Sequence, residues 1–374
     1  MKNVSREFEP GLLREETGGA GNKSEKISRG LKGQTASALR FLLLLAVLCG
    51  SVIVASGLGA VHYSPREVLG ALRHGPPSST ATDVAAVDII LWNLRLPRIV
   101  LAILVGACLG LAGTAFQSLT RNDLADPYLV GVSAGASVGA EAVLLKHGEL
   151  WLHGLAVAAA AFISALATMS VVLGVARRQG RIVVTSLLLA GVTLSALLGS
   201  VSALLLQLGN ALDSAHILGR LMGSLQDATF SQAGVIGAVL CAGGAVLMVQ
   251  ARSMNLFALG EESAQRLGVE TEPFKRVLIV TGSLLTAATV AVAGVVGFVG
   301  LIVPHMARRL ARTPDNRRII PLAALIGAIL LVWADTIARS VMPDNRELPV
   351  GIITAFLGAP FFCYLLARSN RNNA

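Results

Sequence analysis

The 374-residue chain is 54% apolar and only 14% charged, with a mean hydropathy of +0.68, which excludes an ordinary soluble domain and marks a chain built for lipid. Its net charge of +9 comes without aromatic-studded basic patches, so it is read as membrane topology and not as nucleic-acid binding. Cys49, Cys108, Cys241 and Cys363 stand singly in apolar runs and read as small buried hydrophobes; the six histidines lack helical ligand spacing, which argues against a fixed metal site.

Uncharged runs fall at 41–61, 99–120, 128–140, 150–176, 182–212, 228–251, 277–307, 319–334 and 348–367. Most reach the roughly 20 residues that cross a hydrocarbon core as helix, whereas barrel strands are shorter and alternate. The expected fold class is all-α: a polytopic helical membrane bundle.

Residues 1–38, rich in Gly, Ser, Glu, Lys and Arg, are expected to be a disordered tail, and 41–61 a retained first span. Ser64-Pro65-Arg66-Glu67 carries a capping Ser, a Pro at the first helical position and Glu at the third, which predicts a short helix over 65–73. Arg95-Leu96-Pro97-Arg98 then precedes the second span, with Pro97 suited to a helix start. The two arginines share a face at the membrane boundary, as snorkelling anchors or as docking cations.

The second span carries Gly106 and Gly110, and the third begins with Gly131, Gly135 and Gly139, a face with almost no side chain on which two backbones can approach closely. Gly191, Ser195 and Gly199 repeat the spacing in the fifth. Between spans two and three lies a compact polar turn, 121–127. The third run extends through Glu141 to Leu145 if that acid faces protein.

The stretch Met254–Gly268 is patterned like structure outside the bilayer. Asn255 is placed to cap an apolar turn, Gly260 to break it, Glu261 and Glu262 to open a second short helix, and Gly268 to close that helix. Leu256, Phe257, Ala264 and Leu267 would show outward, resting on lipid headgroups or on a soluble partner.

The run 277–307 decides the topology. As one helix its 31 residues would be about 46 Å long, and Gly294, Gly297 and Gly300 interrupt its middle. If the chain turns near Gly294 there are ten spans, the five arginines of 308–318 lie inside with both termini, and 23 of the 31 Lys and Arg residues are cytoplasmic. Arg95, Arg98, Arg339 and Arg346 then gather at outer helix ends, suited to steering an acidic partner.

Eight motifs in order resemble one family. They are R-L-P-R at 95–98, N-D-L-A-D-P at 122–127, G-V-S-A-G-A at 131–136, L-L-L-A-G-V at 187–192, L-M-G-S-L at 221–225, L-G-E-E-S-A-Q-R-L-G at 259–268, G-F-V-G-L-I-V-P-H-M-A-R at 297–308 and E-L-P-V-G-I-I-T-A-F-L-G-A-P-F-F at 347–362. Over about 41–368 the chain looks like the permease subunit of type II ATP-binding-cassette (ABC) importers for iron chelates and cobalamin. The resemblance implies a ten-helix permease domain over 39–368 with a short cytoplasmic tail at 369–374. It implies a dimer of two copies around a translocation path, two ATP-binding-cassette subunits, an extracytoplasmic substrate-binding protein and the bacterial cytoplasmic membrane.

By the same resemblance, Leu256, Leu259, Gly260, Glu261, Glu262, Ala264, Leu267 and Gly268 belong to cytoplasmic coupling helices over 254–270. Arg95, Arg98 and Arg339 receive acidic residues of the binding protein, and Asn122 and Leu124 belong to a cytoplasmic gate, with Asp123 where a relative has Pro. Val183 and Val184 stand where small hydroxyl residues are expected in a second gate segment. Since the sequence has no Gly-Lys-Ser/Thr phosphate loop, ATP and Mg²⁺ are expected to be used by the partner subunit, with no cofactor, metal or catalytic residue here. The expected cargo is a ferric siderophore or haem, with cobalamin as the alternative; His62, His74, His147 and His216 are candidates for haem contact. An ion-coupled secondary transporter would rest on Glu141, His153 and His305, and an intramembrane hydrolase finds no nucleophile–base spacing.

Overall fold

The computed structural model describes residues 18–59, 61–76, 86–146, 153–208, 219, 221–342 and 347–372. Two units are distinguished, residues 1–43 and 44–374. In the first, residues 18–43 are helical, the opening of α1 (Gly18–Gly57); this corrects the expectation that everything before residue 39 is disordered, while 1–17 lie outside the described residues.

In the second unit α1 continues to Gly57, and α2 (Pro65–His74) follows behind the expected capping box. Ser64 Oγ accepts from Glu67 N, and Glu67 Oε2 accepts from Ser64 N at 2.7 Å. The bond from Ser64 N, and then one that Ser64 Oγ donates to the same Oε2 at 2.8 Å, hold the Glu67 carboxyl below the usual carboxylate range.

The second span differs from expectation. Helix α3 (Ala86–Ile90) passes without a break through a π-helical turn, Leu91–Arg95, into α4 (Leu96–Thr120), so Pro97 does not start the span. Proline lacks an N–H and crowds the preceding turn, and the widened π turn just before it absorbs that conflict.

The remaining helices are α5 (Val132–Lys146), α6 (His153–Ala176), α7 (Val184–Leu208), α8 (Phe230–Phe257), the short α9 (Glu261–Arg266), α10 (Thr271–Ala293), α11 (Val299–Ala311), α12 (Asn316–Ala338) and α13 (Val350–Asn372). The turn Pro127–Val130 is 3-10, and a hairpin of β1 (Arg177–Arg178) and β2 (Arg181–Ile182) joins α6 to α7. Among the described residues, seven helices are long and apolar enough to cross a membrane. Helices α5 and α11 and the shorter apolar part of α13, Val350–Tyr364, occupy the expected third, eighth and tenth positions.

The run 277–307 is two helices. Helix α10 stops at Gly294, whose φ of 67° suits glycine, and Phe298 adopts a left-handed conformation before α11 begins. The break is pinned from two sides. Tyr128 Oη donates to Val296 O at 3.1 Å and accepts from Val296 N at 3.2 Å, and Ser224 N donates to Ala293 O at 2.9 Å.

Helix α4 is the buried centre, enclosed by α8, α10, α11 and α12. It meets α12 where a Cβ on Gly106 would lie 2.2 Å from the Gly327 carbonyl oxygen. Helix α5 packs on α6 in the same way: a Cβ on Gly139 would lie 2.5 Å from Ala160 O, and one on Gly135 2.1 Å from Thr168 Oγ1. Gly131, at the start of α5, approaches Gly191 O of α7 with φ 80°. Such contact is the packing available in lipid, where apolar burial gives little drive between helices. Glu141 is buried and accepts from Ser202 Oγ at 2.5 Å, which lets α5 continue past the acid. Of the cysteines only Cys108 is buried; Cys49, Cys241 and Cys363 are exposed, because single thiols on outward helix faces are apolar enough for lipid.

Candidate functional site

Two ends of the bundle carry the singled-out residues. At the basic end, α8 does not stop at Asn255 but runs to Phe257. The Asn255 side chain is therefore no cap: its Nδ2 donates to Asp315 Oδ1 at 2.7 Å, and its Oδ1 accepts from Asn316 N at 2.8 Å, tying α8 to the start of α12. Gly260, with φ 116°, turns the chain, and α9 opens with Glu261 and Glu262 at its positive end. Gly268 (φ 87°) leads out of the helix as expected.

The outward face of this elbow is narrower than the pattern implies. Leu259 and Leu267 are 66% and 58% exposed, with Glu262 and Gly268 exposed beside them, and Leu256, Gly260 and Glu261 are half-buried. Phe257 and Ala264, expected outside, are buried instead. The Phe257 ring sits 5.1 Å from Phe274 of α10 and beneath the Arg121 guanidinium at 5.8 Å, so it anchors the elbow. An open groove of 460 Å³ flanks the elbow, lined in part by Arg252, Leu256, Leu267, Val269 and Phe274.

The turn after α4 lies at the same end. Arg121 takes a left-handed cap conformation, Asn122 Oδ1 accepts from Leu124 N at 2.9 Å, and both Asn122 and Leu124 are exposed. Asp123 pairs with Arg308 of α11 at 3.0 Å, and Arg308 also donates to Gln117 of α4. Asp126 caps the 3-10 turn by accepting from Tyr128 N at 2.8 Å. Burial pushes the Asp126 carboxyl up to about 6 against that hydrogen bond, and also raises the Tyr128 phenol. Val183 is exposed and Val184 begins α7, directly after the hairpin.

At the opposite end the three arginines are not free cations. Arg95, Arg98 and Arg339 are 6%, 7% and 8% exposed. Arg95 donates to Ser56 O at 2.5 Å and to Val61 O, and lies 5.0 Å over the Tyr63 ring. Arg339 donates to Ala55 O at 2.5 Å. Together they satisfy carbonyls at the C-terminal end of α1, where a helix leaves its last oxygens unpaired and favours positive charge. Arg98 holds Asp335 of α12 through Nε at 2.9 and 3.0 Å and reaches Glu347 Oε2, just before α13, at 2.6 Å. The guanidinium groups are thus held by partners within the chain. A buried arginine follows its nearest acceptors, and the carboxylates that claim Arg98 are 237 and 249 residues away in the chain. Arg346, His147 and His216 lie outside the described residues.

His62 is exposed, His74 lies 3.7 Å from Asp88, and His305 meets Phe361 edge-on with 6.0 Å between ring centres. His153 opens α6. Among the described residues no three His, Cys, Asp or Glu side chains gather as metal ligands. Sequence reasoning missed Lys275, buried at the foot of α10 and bonded to Glu261 of the elbow; its only local signal is Glu272 three residues earlier.

The model of the FecCD transport family matches residues 42–368. The chain is 43% identical over 279 residues to the cobalamin import system permease protein BtuC of Halobacterium salinarum, covering 75% of this chain and 73% of that one. It is 36% identical over 338 residues to the hemin transport system permease protein HmuU of Yersinia pestis, covering 90% and 97%. Among solved structures, an inward-facing conformation of a metal-chelate type ABC transporter superposes with a TM-score of 0.75 at 25% identity, over 88% of this chain and 99% of that one.

Proposed function

From the premise that this chain belongs to the FecCD transport family, we propose that it passes an iron chelate, a ferric siderophore or haem, across the bacterial cytoplasmic membrane as the permease of an ABC importer. The family supplies the membrane permease of such importers, and the ATPase is a separate subunit. The haem reading is supported by the hemin permease of Yersinia pestis, which aligns over 97% of its length. Cobalamin is the second reading, supported by the 43% identity to the Halobacterium permease over a shorter span.

In this reading two copies of the chain enclose a path, with both termini cytoplasmic. Two ATP-binding-cassette subunits lie beneath, and an extracytoplasmic binding protein docks above. The observation that carries it is the elbow at Gly260: apolar Leu259 and Leu267 project from a basic end while Phe257 and Ala264 fix the turn from inside. That is a rigid, apolar handle for a soluble motor. The buried arginines at the other end set the rim on which a binding protein lands, in place of contacting it directly.

Proteoliposomes holding the permease, its ATPase and its binding protein test the proposal. Expected is ATP-dependent uptake of radiolabelled ferric siderophore or haem, together with crosslinking of Leu259→Cys to the ATPase. Uptake of cobalamin alone selects the second reading. ATP-independent uptake with Leu259→Cys uncrosslinked overturns both.

A further inference from the structure

Lys275 is buried, 2% exposed. Its three N–H donors have three acceptors: Ile182 O at 2.8 Å, Glu261 Oε1 at 2.7 Å and Glu272 Oε1 at 2.5 Å. Each acceptor belongs to a different element. Glu261 is the first residue of α9, Glu272 lies in the first turn of α10, and Ile182 ends β2, two residues before α7.

Ile182 is held at both ends of its peptide. Its carbonyl accepts from Lys275, while its N–H donates to Glu272 Oε2 at 2.9 Å. The hairpin that carries it turns at Gln179 and Gly180, both at positive φ, and Val183 N returns to Ala176 O at 3.3 Å. The hairpin is a stiff bracket between α6 and α7, and Lys275 and Glu272 tie it to the foot of α10.

We propose that Lys275 is a positioning residue that transmits displacement of the α9 elbow through Ile182 to α7. This rests on the reading that the elbow meets the ATPase. A pull on α9 moves Glu261. The buried ammonium follows, because the alternative leaves a desolvated cation an acceptor short and a carboxylate without its counter-charge. Ile182 is carried along by the same ammonium, and α7 begins two residues later. Glu272 closes the triangle on α10, so elbow, hairpin and α10 foot move together. Without Lys275 the elbow keeps its apolar anchor, Phe257 against Phe274, and so still holds its place on α10, but it loses its link to the hairpin.

The test uses the assembled transporter in nanodiscs, with spin labels at Arg266→Cys and Arg178→Cys, both exposed positions. With Lys275 present, one label-to-label distance is expected with and without ATP and vanadate. In Lys275→Met the distance changes between the two states, and transport per ATP hydrolysed falls about tenfold, the factor carried by the one charge-assisted hydrogen bond, to Glu261, that joins the ammonium to the elbow. Lys275→Arg is expected to restore both. Glu261→Gln, which keeps an acceptor oxygen and the fold, is expected to show the same loosening if Lys275→Met does not accumulate. A constant distance and unchanged transport per ATP in Lys275→Met or Glu261→Gln, with the ATPase still crosslinked at residue 259, overturns the inference and leaves the coupling reading standing. Absence of the crosslink in the wild-type complex overturns the coupling reading, and this inference with it.

Discussion

Arg98 and Asp335 meet inside the protein as an enclosed, two-pronged ion pair: Arg98 Nε lies 2.9 and 3.0 Å from the two carboxylate oxygens, and Nη2 lies 2.8 Å from Oδ1. The pair joins the buried central helix α4 to α12, about two turns along from the close approach of Gly106 to Gly327. Glu347 adds the approach to α13. Removing Asp335 leaves the buried Arg98 with Glu347 as its one carboxylate, so Asp335→Ala is expected to cost about 3 kcal/mol, the low end for a broken buried pair. The paired change Arg98→Met with Asp335→Leu is expected to recover most of that. Thermal unfolding of the purified permease in nanodiscs measures both; an Asp335→Ala protein that melts with the wild type refutes the assignment.

Arg339 presents a different case, because Asp335 keeps Arg98 when Arg339 is lost. Its Nε stands 3.8 Å from Asp335, beyond hydrogen-bond range, while its Nη2 caps Ala55 O. Arg339→Met is therefore expected to cost about 1–3 kcal/mol, the penalty of one unsatisfied buried carbonyl. The damage is expected to be local, with faster hydrogen exchange at Leu58 and Tyr63 at the end of α1. Protection unchanged there, with loss spread over α12, would place the role of Arg339 elsewhere.

How far the sequence could be read follows the reach of each interaction. Ser64-Pro65-Arg66-Glu67 was legible because a capping box is complete within four residues. The break at Gly294 was legible because helix length and glycine spacing are both local, and the arginines beyond it add topology. The fate of Arg98 was not, since its acceptors lie more than two hundred residues away. Asn255 failed for the same reason: as a helix-breaking signal it is sound, but Asp315 and Asn316 use its amide from across the bundle. Helical periodicity placed Leu267 outward, where it is exposed; Phe257 turned inward because an aromatic ring at an elbow finds Phe274 and Arg121 to cover it.

Close backbone approach makes Gly139 sensitive to size. A valine there must displace the Ala160 carbonyl or the Ser164 side chain, which a Cβ would approach to 2.5 and 2.6 Å. Overpacking of this kind costs about 1–3 kcal/mol or more. Gly174, in the neighbouring helix, has nothing within 4 Å of its Cβ position. A loss of stability on that scale lowers the amount of folded protein, so Gly139→Val is expected to reduce the monodisperse yield of permease several-fold. Gly174→Ala is expected to leave the yield unchanged. Equal yields from the two variants would remove the α5–α6 contact as the reason for glycine.

The Asp126 carboxyl supplies a pH signature. Its folded value, about 6, lies above the ordinary 3.8, so folding favours the protonated form. The stabilisation is full below about pH 4 and is lost as pH rises through about 6, with an upper bound of about 3 kcal/mol. Asn keeps the cap on Tyr128 N and cannot ionise. Asp126→Asn is therefore expected to raise the melting temperature at pH 8 and leave it unchanged near pH 4. A shift of the same size at both pH values would show that the carboxyl does not titrate in this range.

Leu259 and Phe257, two residues apart on the elbow, separate coupling from folding. Leu259 is exposed, whereas Phe257 is buried against Phe274. Leu259→Asp is expected to leave the permease within about 0.5 kcal/mol of wild-type stability, as surface changes do. It is expected to uncouple ATP hydrolysis from uptake, because a charge then faces the apolar site on the motor. Phe257→Ala is expected to cost about 3–5 kcal/mol in the permease alone, before any partner is added. Leu267→Asp follows Leu259. Gly260→Pro is expected to fail in both assays, since proline cannot adopt the φ of 116° found there. Wild-type transport per ATP in Leu259→Asp and Leu267→Asp together would show that this face of the elbow meets no motor.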